Sequence, residues 1–308
     1  MRKNINQETI VGRVYQHSLE VKTVQNKESA NAGKEYIAGI LEIAVDEDGL
    51  NVIPIHYTYV TPTTSKGSTN KTYTVLSKII NGGKTWITDG KDEAMIIKAS
   101  PSLALNEFYS ADGELISTKR NEGGFLDILA SLENEKVRNY FKTDILITKI
   151  TEKEADTERN LPAYVIVKGA VFDFKNRLLP VEFSVRSQDG MDFFLNQIEA
   201  SAAEPYYTCV WGKIECITKV LTKTEDSAFG EAAVTTYEKK LRDWSITGML
   251  KEPYDFGAED VMTVEEVKKA MQEREIALAE IKKRREEYDA KKNGSAAAPV
   301  AKTGDFTF

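Results

Sequence analysis

The residues with the clearest chemical potential lie in one stretch, 49–88, which contains no acidic residue although the whole chain has a net charge of −7. Lysines and aromatic residues are interleaved along it: Tyr57, Tyr59, Lys66, Lys71, Tyr73, Lys78, Lys84 and Trp86. An unpaired nucleic-acid strand needs this mixture, because cations neutralise its phosphates and flat rings stack on its bases for about 1–3 kcal/mol each. In a β-strand, Tyr57 and Tyr59 would share one face. The stretch therefore predicts a surface for single-stranded nucleic acid.

Two further clusters could extend this surface. Lys119 and Arg120 precede a Gly-Gly pair, and the second half of the chain contains a compact aromatic and basic group, formed by Phe172, Phe174, Lys175 and Arg177. A simpler interpretation stays open for all of these residues. The aromatic side chains would then belong to the core and the cations to an ordinary surface, and for any single residue this simpler interpretation is favoured.

The sequence offers little for catalysis or for a metal site. It has no Ser in a GxSxG motif, and its two histidines, His17 and His56, are not close to a nucleophile in sequence. The spacing of these histidines and of Cys209 and Cys216 does not match a zinc site. Both cysteines fall in strand-like apolar sequence, which favours buried free thiols over a disulfide. We therefore expect no enzyme, no catalytic residue, no cofactor and no metal.

The elements that must position these residues are mainly strands. Segments rich in Ile, Val, Tyr and Thr, several with alternating polarity, predict strands at 35–46, 50–60, 71–80, 94–99, 143–150, 163–174, 178–185, 206–217 and 243–250. Residues 110–113, Ser-Ala-Asp-Gly, predict a hairpin turn. Helical spacing of apolar residues predicts helices at 125–141 and 189–203.

Two blocks of the chain resemble each other. In each block a strand that contains a glycine, Gly39 or Gly169, precedes a charged turn and then a strand that is entered through a proline, Pro54 or Pro180. A glycine within a strand often marks the bend that a small barrel needs for closure. We expect a mainly β protein with two related β-barrel domains, at 1–141 and 142–261.

The C-terminal part has a different character. Residues 262–290 predict a long amphipathic helix that begins with the capping box of Thr263 and Glu266. Packing on the preceding domain or a helix–helix dimer contact would use its apolar stripe. Residues 291–308 have the composition of a flexible linker and tail. The tail ends with Asp305, Phe306, Thr307 and Phe308, which is either an accident of a frayed terminus or a docking peptide.

Taken together, the barrel-like blocks, the lysine–aromatic stretch and the terminal Phe resemble bacterial and bacteriophage single-stranded-DNA-binding proteins. The resemblance implies OB-type barrels with added helices, a disordered tail, and single-strand binding without sequence preference in replication, recombination or repair. It also implies that Asp305, Phe306 and Phe308 recruit replication or repair proteins. The family's tail is acidic, whereas this tail has a single Asp.

Location and assembly follow from the same observations. The chain has no apolar run near the roughly 20 residues of a membrane span, and its first residues do not form a signal peptide. We expect a protein of the bacterial host cytoplasm without a membrane partner, and a homo-oligomer is compatible with the helix. Two other functions stay open: a structural or assembly protein of a virion and, with less support, a metal-dependent nuclease.

Overall fold

The computed structural model describes residues 4–155, 162–225, 229, 233–259 and 261–295. Within these ranges the chain forms eleven strands and four helices. None of the described helices is long and apolar enough to cross a membrane. Strand pairing organises the strands into two closed rings.

The first ring uses the N-terminal half of the chain. Its elements are β1 (Asn6–His17), β2 (Glu20–Thr23), β3 (Glu35–Ala44), β4 (Val52–Val60), α1 (Lys71–Ile80), α2 (Trp86–Asp89), β5 (Ile96–Tyr109) and β6 (Leu115–Leu129). β1 pairs antiparallel with β3 and with β5, β3 with β4, and β5 with β6. The parallel pairing of β4 with β6 closes the ring, and the Asn121 side chain donates a hydrogen bond to the Pro54 carbonyl at this seam. β2 pairs with β3.

The second ring repeats this plan. Its elements are β7 (Asn139–Lys153), β8 (Tyr164–Phe172), β9 (Leu178–Val185), α3 (Gln188–Gln197), β10 (Tyr206–Glu225) and β11 (Ala233–Met249), and they are followed by α4 (Val264–Ser295). β7 pairs antiparallel with β8 and β10, β8 with β9, and β10 with β11. A parallel pairing of β9 with β11 closes this ring at the same place as in the first.

Both rings have the topology of the OB fold, a five-stranded Greek-key barrel. Numbered within each ring, the strands pair in the order 1-2-3-5-4, and helix α1 or α3 lies between the third and fourth strands. The predicted fold class, mainly β with OB-like barrels, added helices and a long C-terminal helix, is confirmed. The two rings are joined because β1 also pairs with β7. The proposed domain boundaries stay predictions, and the predicted disordered tail lies outside the described residues.

The core follows from the alternation of apolar residues along the strands. In β3, for example, Ile37, Leu41 and Ile43 are fully buried. A second, smaller cluster lies beneath α4, where Val267 and Ala270 pack with Phe172 and with other buried residues of the second ring. The capping box that starts α4 is present, because the Thr263 hydroxyl accepts from the Glu266 amide at 3.2 Å and the Glu266 carboxylate accepts from the Thr263 amide at 2.9 Å.

The strand predicted at 71–80 is wrong, because this segment forms helix α1. Asn70 caps the helix by accepting a hydrogen bond from the Thr72 amide. Thr72, Leu76 and Ile79 are buried on one side of the helix, spaced four and three residues apart. The Thr, Tyr, Val and Ile content favoured a strand, but tertiary packing decides between two weak local preferences.

The helix predicted at 125–141 is also wrong. β6 continues through this region to Leu129, which lies opposite Ile96 of β5, and β7 begins at Asn139. Phe125 and Ile128 are exposed instead of forming the buried side of a helix. A strand, a turn and a second strand placed the apolar residues at helix-like intervals. The other predicted helices are confirmed as α3 and α4.

Arg274 of helix α4 contacts both rings. The Arg274 guanidinium makes two hydrogen bonds to the Glu107 carboxylate of β5, at 2.6 and 3.2 Å, and one to the Leu178 carbonyl of β9 at 3.3 Å. The side chains of Arg274 and Glu107 are only 15% and 11% exposed. Such a planar, two-point contact fixes the helix relative to both rings.

Replacing Arg274 with alanine should therefore lower the free energy of unfolding by about 2 kcal/mol, because the largely buried Glu107 carboxylate loses its partner. Urea unfolding followed by circular dichroism measures this loss. Arg284→Ala is the matched control, since Arg284 is 77% exposed and its pair with Glu280 is 3.6 Å long. Its loss should stay below about 0.5 kcal/mol. Equal effects of the two substitutions would contradict the role given to Arg274.

Candidate nucleic-acid interface

Two tyrosines lie together on the second and third strands of the first ring. The ring centroids of Tyr36 on β3 and Tyr59 on β4 are 4.7 Å apart, with an interplanar angle of 40°. Tyr59 is 45% exposed. Lys22 on β2 lies directly opposite Tyr36 in the strand register, so a cation adjoins the pair. In OB folds this face, formed by the second and third strands, is the one that binds oligonucleotides and oligosaccharides.

A β-bulge separates Tyr59 from Tyr57. Gly39 of β3 pairs with Tyr57, but Ile37 pairs with Val60, so β4 has one residue more than β3 between these pairs. A bulge of this kind changes which side chains face outward. Tyr57 is 2% exposed, and burial raises its pKa. The expectation that Tyr57 and Tyr59 share one face is wrong, and the ring of Tyr57 is not available to a base in this structure.

The loop after β4 places two lysines near Tyr59. The Asn70 amide donates to the Pro62 carbonyl at 2.8 Å, so the loop folds back onto the end of β4. Lys71 therefore begins α1 close to the strand that contains Tyr59, and Lys66 lies in the exposed turn between them. Neither lysine forms an ion pair within the described part of the chain. Both cations are available to an anionic ligand.

A groove extends from Tyr59 toward the second ring. It is a cavity of about 710 Å³, lined by β4, β5 and β6, by the turn 173–177 and by Arg274, Ala277 and Ile281 of α4. Arg120 lines it and donates to the Glu122 carboxylate at 2.8 and 3.1 Å. The predicted residue Arg120 thus reaches the groove, with its charge balanced by an acid.

The remaining residues of the stretch 49–88 lie elsewhere. Tyr73 and Lys78 line a depression on α1. Lys84 forms an ion pair with Glu93, and the hydrogen bond from Lys84 raises the pKa of the lysine. Trp86 packs against Tyr15 with ring centroids 6.0 Å apart, on α2 against β1. The structure therefore does not bring these four residues together with the Tyr36–Tyr59 pair.

Lys119 lies between the rings. Its Nζ atom is 4.7 Å from the ring centroid of Trp244 and 5.3 Å from that of Phe183, and it donates to the Glu182 carbonyl. Burial lowers the pKa of Lys119 to about 8. This lysine joins the first ring to the second, and it does not line the groove.

The aromatic and basic cluster of the second ring is divided. Phe172 is fully buried beneath α4 and is unavailable to a ligand. Phe174, Lys175 and Arg177 lie in the turn between β8 and β9, where Phe174 is 74% exposed and the Lys175 Nζ lies 5.5 Å from its ring centroid. Asp305, Phe306 and Phe308 lie outside the described residues.

Sequence reasoning missed Tyr36 because this residue precedes the acid-free stretch. Only the pairing of β3 with β4 brings Tyr36 to Tyr59.

Two other expectations concern chemistry. Cys209 and Cys216 are buried and form no disulfide, as expected. Burial raises the pKa of Cys209 to about 12. Among the described residues, no three His, Cys, Asp or Glu side chains are grouped as they would be around a metal ion.

Comparisons with known proteins give a family and two distant structural likenesses. A family model described as YorF matches residues 4–284. No curated protein matches the chain. Among solved structures, a deletion mutant of the single-stranded DNA binding protein from Thermus aquaticus is similar at 12% identity and a TM-score of 0.45, over 83% of this chain and 98% of that one. A replication protein A heterotrimer bound to single-stranded DNA is similar at 13% identity and a TM-score of 0.19, over 79% of this chain and 50% of that one.

Proposed function

This chain belongs to the YorF family, and we propose that it binds single-stranded DNA on the OB face of its first ring, without sequence preference and without catalysis. The observation that supports this function best is the Tyr36–Tyr59 pair. Two contacting rings, one of them nearly half exposed, lie on the strands that OB folds use for oligonucleotides. Every base has a π-face, so such a platform accepts any sequence.

The charges around the pair support an unpaired strand as the ligand. Lys66 and Lys71 follow the strand that contains Tyr59, although the chain as a whole is acidic. Lys22 lies opposite Tyr36 in the register and is paired with Glu20 at 3.3 Å. Phosphate binding depends on where the cations lie and not on their sum. Stacking on tyrosine requires bases that are free of a duplex, which makes single strands the preferred ligand.

The same cations predict how binding depends on salt. Lys66 and Lys71 would release counterions from the phosphates that they contact, so the affinity should fall as the salt concentration rises.

The biological setting is proposed from the same features. We place the protein in DNA replication, recombination or repair of a phage-like system, with each ring acting as one domain. The tail residues Asp305, Phe306 and Phe308 would recruit partner proteins, because a terminal Phe and its carboxylate can fill an apolar pocket beside a cation.

Removal of residues 305–308 should leave the affinity for oligo-dT unchanged within about twofold and abolish binding to a replication or repair protein. A pull-down with purified polymerase, primase and helicase of the host, analysed alongside the full chain, measures this. Substituting Thr307 with alanine is the control, since it keeps the phenyl groups of Phe306 and Phe308 and the C-terminal carboxylate. Equal recovery of partners by the full and shortened chains would contradict the role of the tail.

An electrophoretic shift assay tests the main proposal. Oligo-dT and a duplex of equal length are titrated at about 50 and 200 mM salt, and the single strand should bind more tightly at both concentrations. Duplex binding that equals or exceeds single-strand binding would contradict the proposal, as would the absence of any shift at low salt.

A second candidate, a structural or assembly protein, is favoured by one observation. Helix α4 exposes Met271, Ile276 and Tyr288 by more than half of their surface. Such side chains suit contacts with other proteins. Size-exclusion chromatography with light scattering separates the two candidates, because an assembly protein would oligomerise without DNA and ignore oligonucleotides.

A further inference from the structure

A second cavity continues the groove between the rings. It has a volume of about 370 Å³, within the range of ~300–1,000 Å³ that is common for small-molecule sites. It shares Ser102 and Phe174 with the larger groove that begins at Tyr59, so the two cavities adjoin. Phe125 of the first ring and Phe174 of the second both line it. These two residues are 76% and 74% exposed, whereas a phenylalanine of the core is buried.

A β-bulge in β6 presents Phe125. Ser100 pairs with Phe125 and Ser102 with Glu122, so Gly123 and Gly124 face a single residue of β5. Gly124 has a φ of +92°, and a Cβ at this position would lie 2.1 Å from the Ser100 carbonyl oxygen. Only glycine fits this close approach. The bulge therefore requires glycine directly before Phe125, whose side chain is exposed.

A tight turn presents Phe174. The Asp173 carboxylate accepts hydrogen bonds from the backbone amides of Lys175 and Arg177, both at 2.8 Å, and from the Arg177 guanidinium at 2.6 Å. Asn176 adopts a positive φ of 58° within this turn. These contacts fix the backbone of the turn that carries Phe174, and the Phe174 side chain remains exposed.

We infer that a single strand passes from the first ring to the second through this cavity, and that one unpaired base is held between Phe125 and Phe174. The inference rests on the proposed function and adds a site to it. Phe125 of the first ring and Phe174 of the second would contact one nucleotide, so both barrels would bind the same DNA strand. Base–aromatic stacking explains why two large apolar rings stay exposed at a cavity whose other walls are largely polar.

The remaining walls suit a nucleotide. Gln7 and Ser100 are exposed and offer polar atoms to a base edge, and Lys175 lies beside Phe174 where a phosphate would follow the base. Glu8 is 2% exposed beneath the cavity and accepts a hydrogen bond from the Trp244 indole at 3.0 Å. Burial raises the pKa of Glu8 to about 8, so near neutral pH this acid adds little negative charge against a phosphate. A purely apolar peptide would leave these polar walls without partners.

The test uses the full chain, its Phe125→Ala and Phe174→Ala variants and the double variant. Each single substitution should weaken oligo-dT binding by about 5- to 50-fold, since a stacking ring is lost. Because the side chains of Phe125 and Phe174 hold the same base, the two losses should not add. The double variant should bind oligo-dT only slightly less tightly than the single variant with the larger loss. Phe193→Ala, an exposed phenylalanine of α3 that lines neither cavity, should bind like the parent chain. Melting temperatures should stay unchanged, since the side chains of Phe125 and Phe174 are mostly exposed.

The possible results are distinguishable. Unchanged affinity of both single variants, with binding by the parent chain intact, would overturn the inference and leave the proposed function standing. Losses that multiply in the double variant would also overturn it, because the rings would then hold separate bases. An oligo-dT with one central 2-aminopurine gives a second measurement, since binding of the parent chain should quench its fluorescence and binding of either variant should quench it less. Absence of binding by the parent chain would instead remove the proposed function itself.

Discussion

Replacing Tyr36 and Tyr59 together with alanine should weaken the binding of oligo-dT by about 100-fold or more, which is the largest effect expected of any substitution on the binding face. Each ring that stacks on a base contributes about 1–3 kcal/mol, and the double variant removes both. Fluorescence anisotropy with a labelled oligonucleotide at fixed salt measures the loss. The salt dependence should hardly change, because the lysines that contact phosphates remain.

Two controls separate stacking from folding. Phenylalanine at both positions keeps the rings and removes only the hydroxyls, so this variant should bind within about threefold of the parent chain. Tyr288→Ala removes a tyrosine that is 60% exposed on α4 and should have no effect. If the alanine variant folds and binds like the parent chain, the Tyr36–Tyr59 pair is not the binding platform.

Replacing Glu8 with glutamine should stabilise the protein by about 3 kcal/mol at pH 7. Burial raises the pKa of Glu8 from its ordinary value of 4.5 to about 8 in the folded chain. Between these two values the folded chain holds a proton that the unfolded chain has released, so the stability due to this group falls as the pH rises. Each pH unit in that window costs about 1.4 kcal/mol, and the loss levels off above pH 8.

Glutamine copies the protonated acid in shape and charge. Its carbonyl can accept the hydrogen bond from Trp244, as the Glu8 carboxyl does. Urea unfolding at pH 4.5, 6, 7 and 9 should therefore show equal stability of parent and variant at the lowest pH and a difference that grows to a plateau above pH 8. Glu133→Gln, at an exposed position, should leave the pH profile unchanged. A difference that does not vary with pH would contradict the titration of Glu8.

Much of the fold could be predicted because its signals are local. The strand at Leu178–Val185 and the capping box of Thr263 and Glu266 follow directly from alternation and spacing. Helix α1 could not be predicted in the same way, because its β-branched residues favour a strand and only its packing on the ring selects a helix. The helix predicted at 125–141 was wrong for the opposite reason. Its apolar residues have helix-like spacing, but strand pairing determines the structure there.

The candidate site was less predictable because it depends on register. Of the lysine–aromatic stretch, Tyr59 lies on the face formed by β3 and β4, and Lys66 and Lys71 lie in the loop and helix that follow β4. Tyr57 is buried and Tyr59 is exposed on either side of a one-residue bulge. The composition of the stretch could not predict which of the two tyrosines is exposed. Tyr36 contacts Tyr59 only because β3 pairs with β4, and Phe125 lines its cavity at a bulge that the sequence does not reveal. Residues that meet across a barrel must be found from its topology, which the sequence specifies only indirectly.

The most direct measurement of where the strand lies is photo-crosslinking of oligo-dT to the full chain, followed by identification of the crosslinked residues by mass spectrometry. Crosslinks should fall on Tyr36 and Tyr59 and, further along the groove, on Phe125 and Phe174. Crosslinks confined to Tyr73 and Trp86 on the two helices of the first ring, or none from a chain that shifts oligo-dT, would contradict binding along the OB face and the groove between the rings.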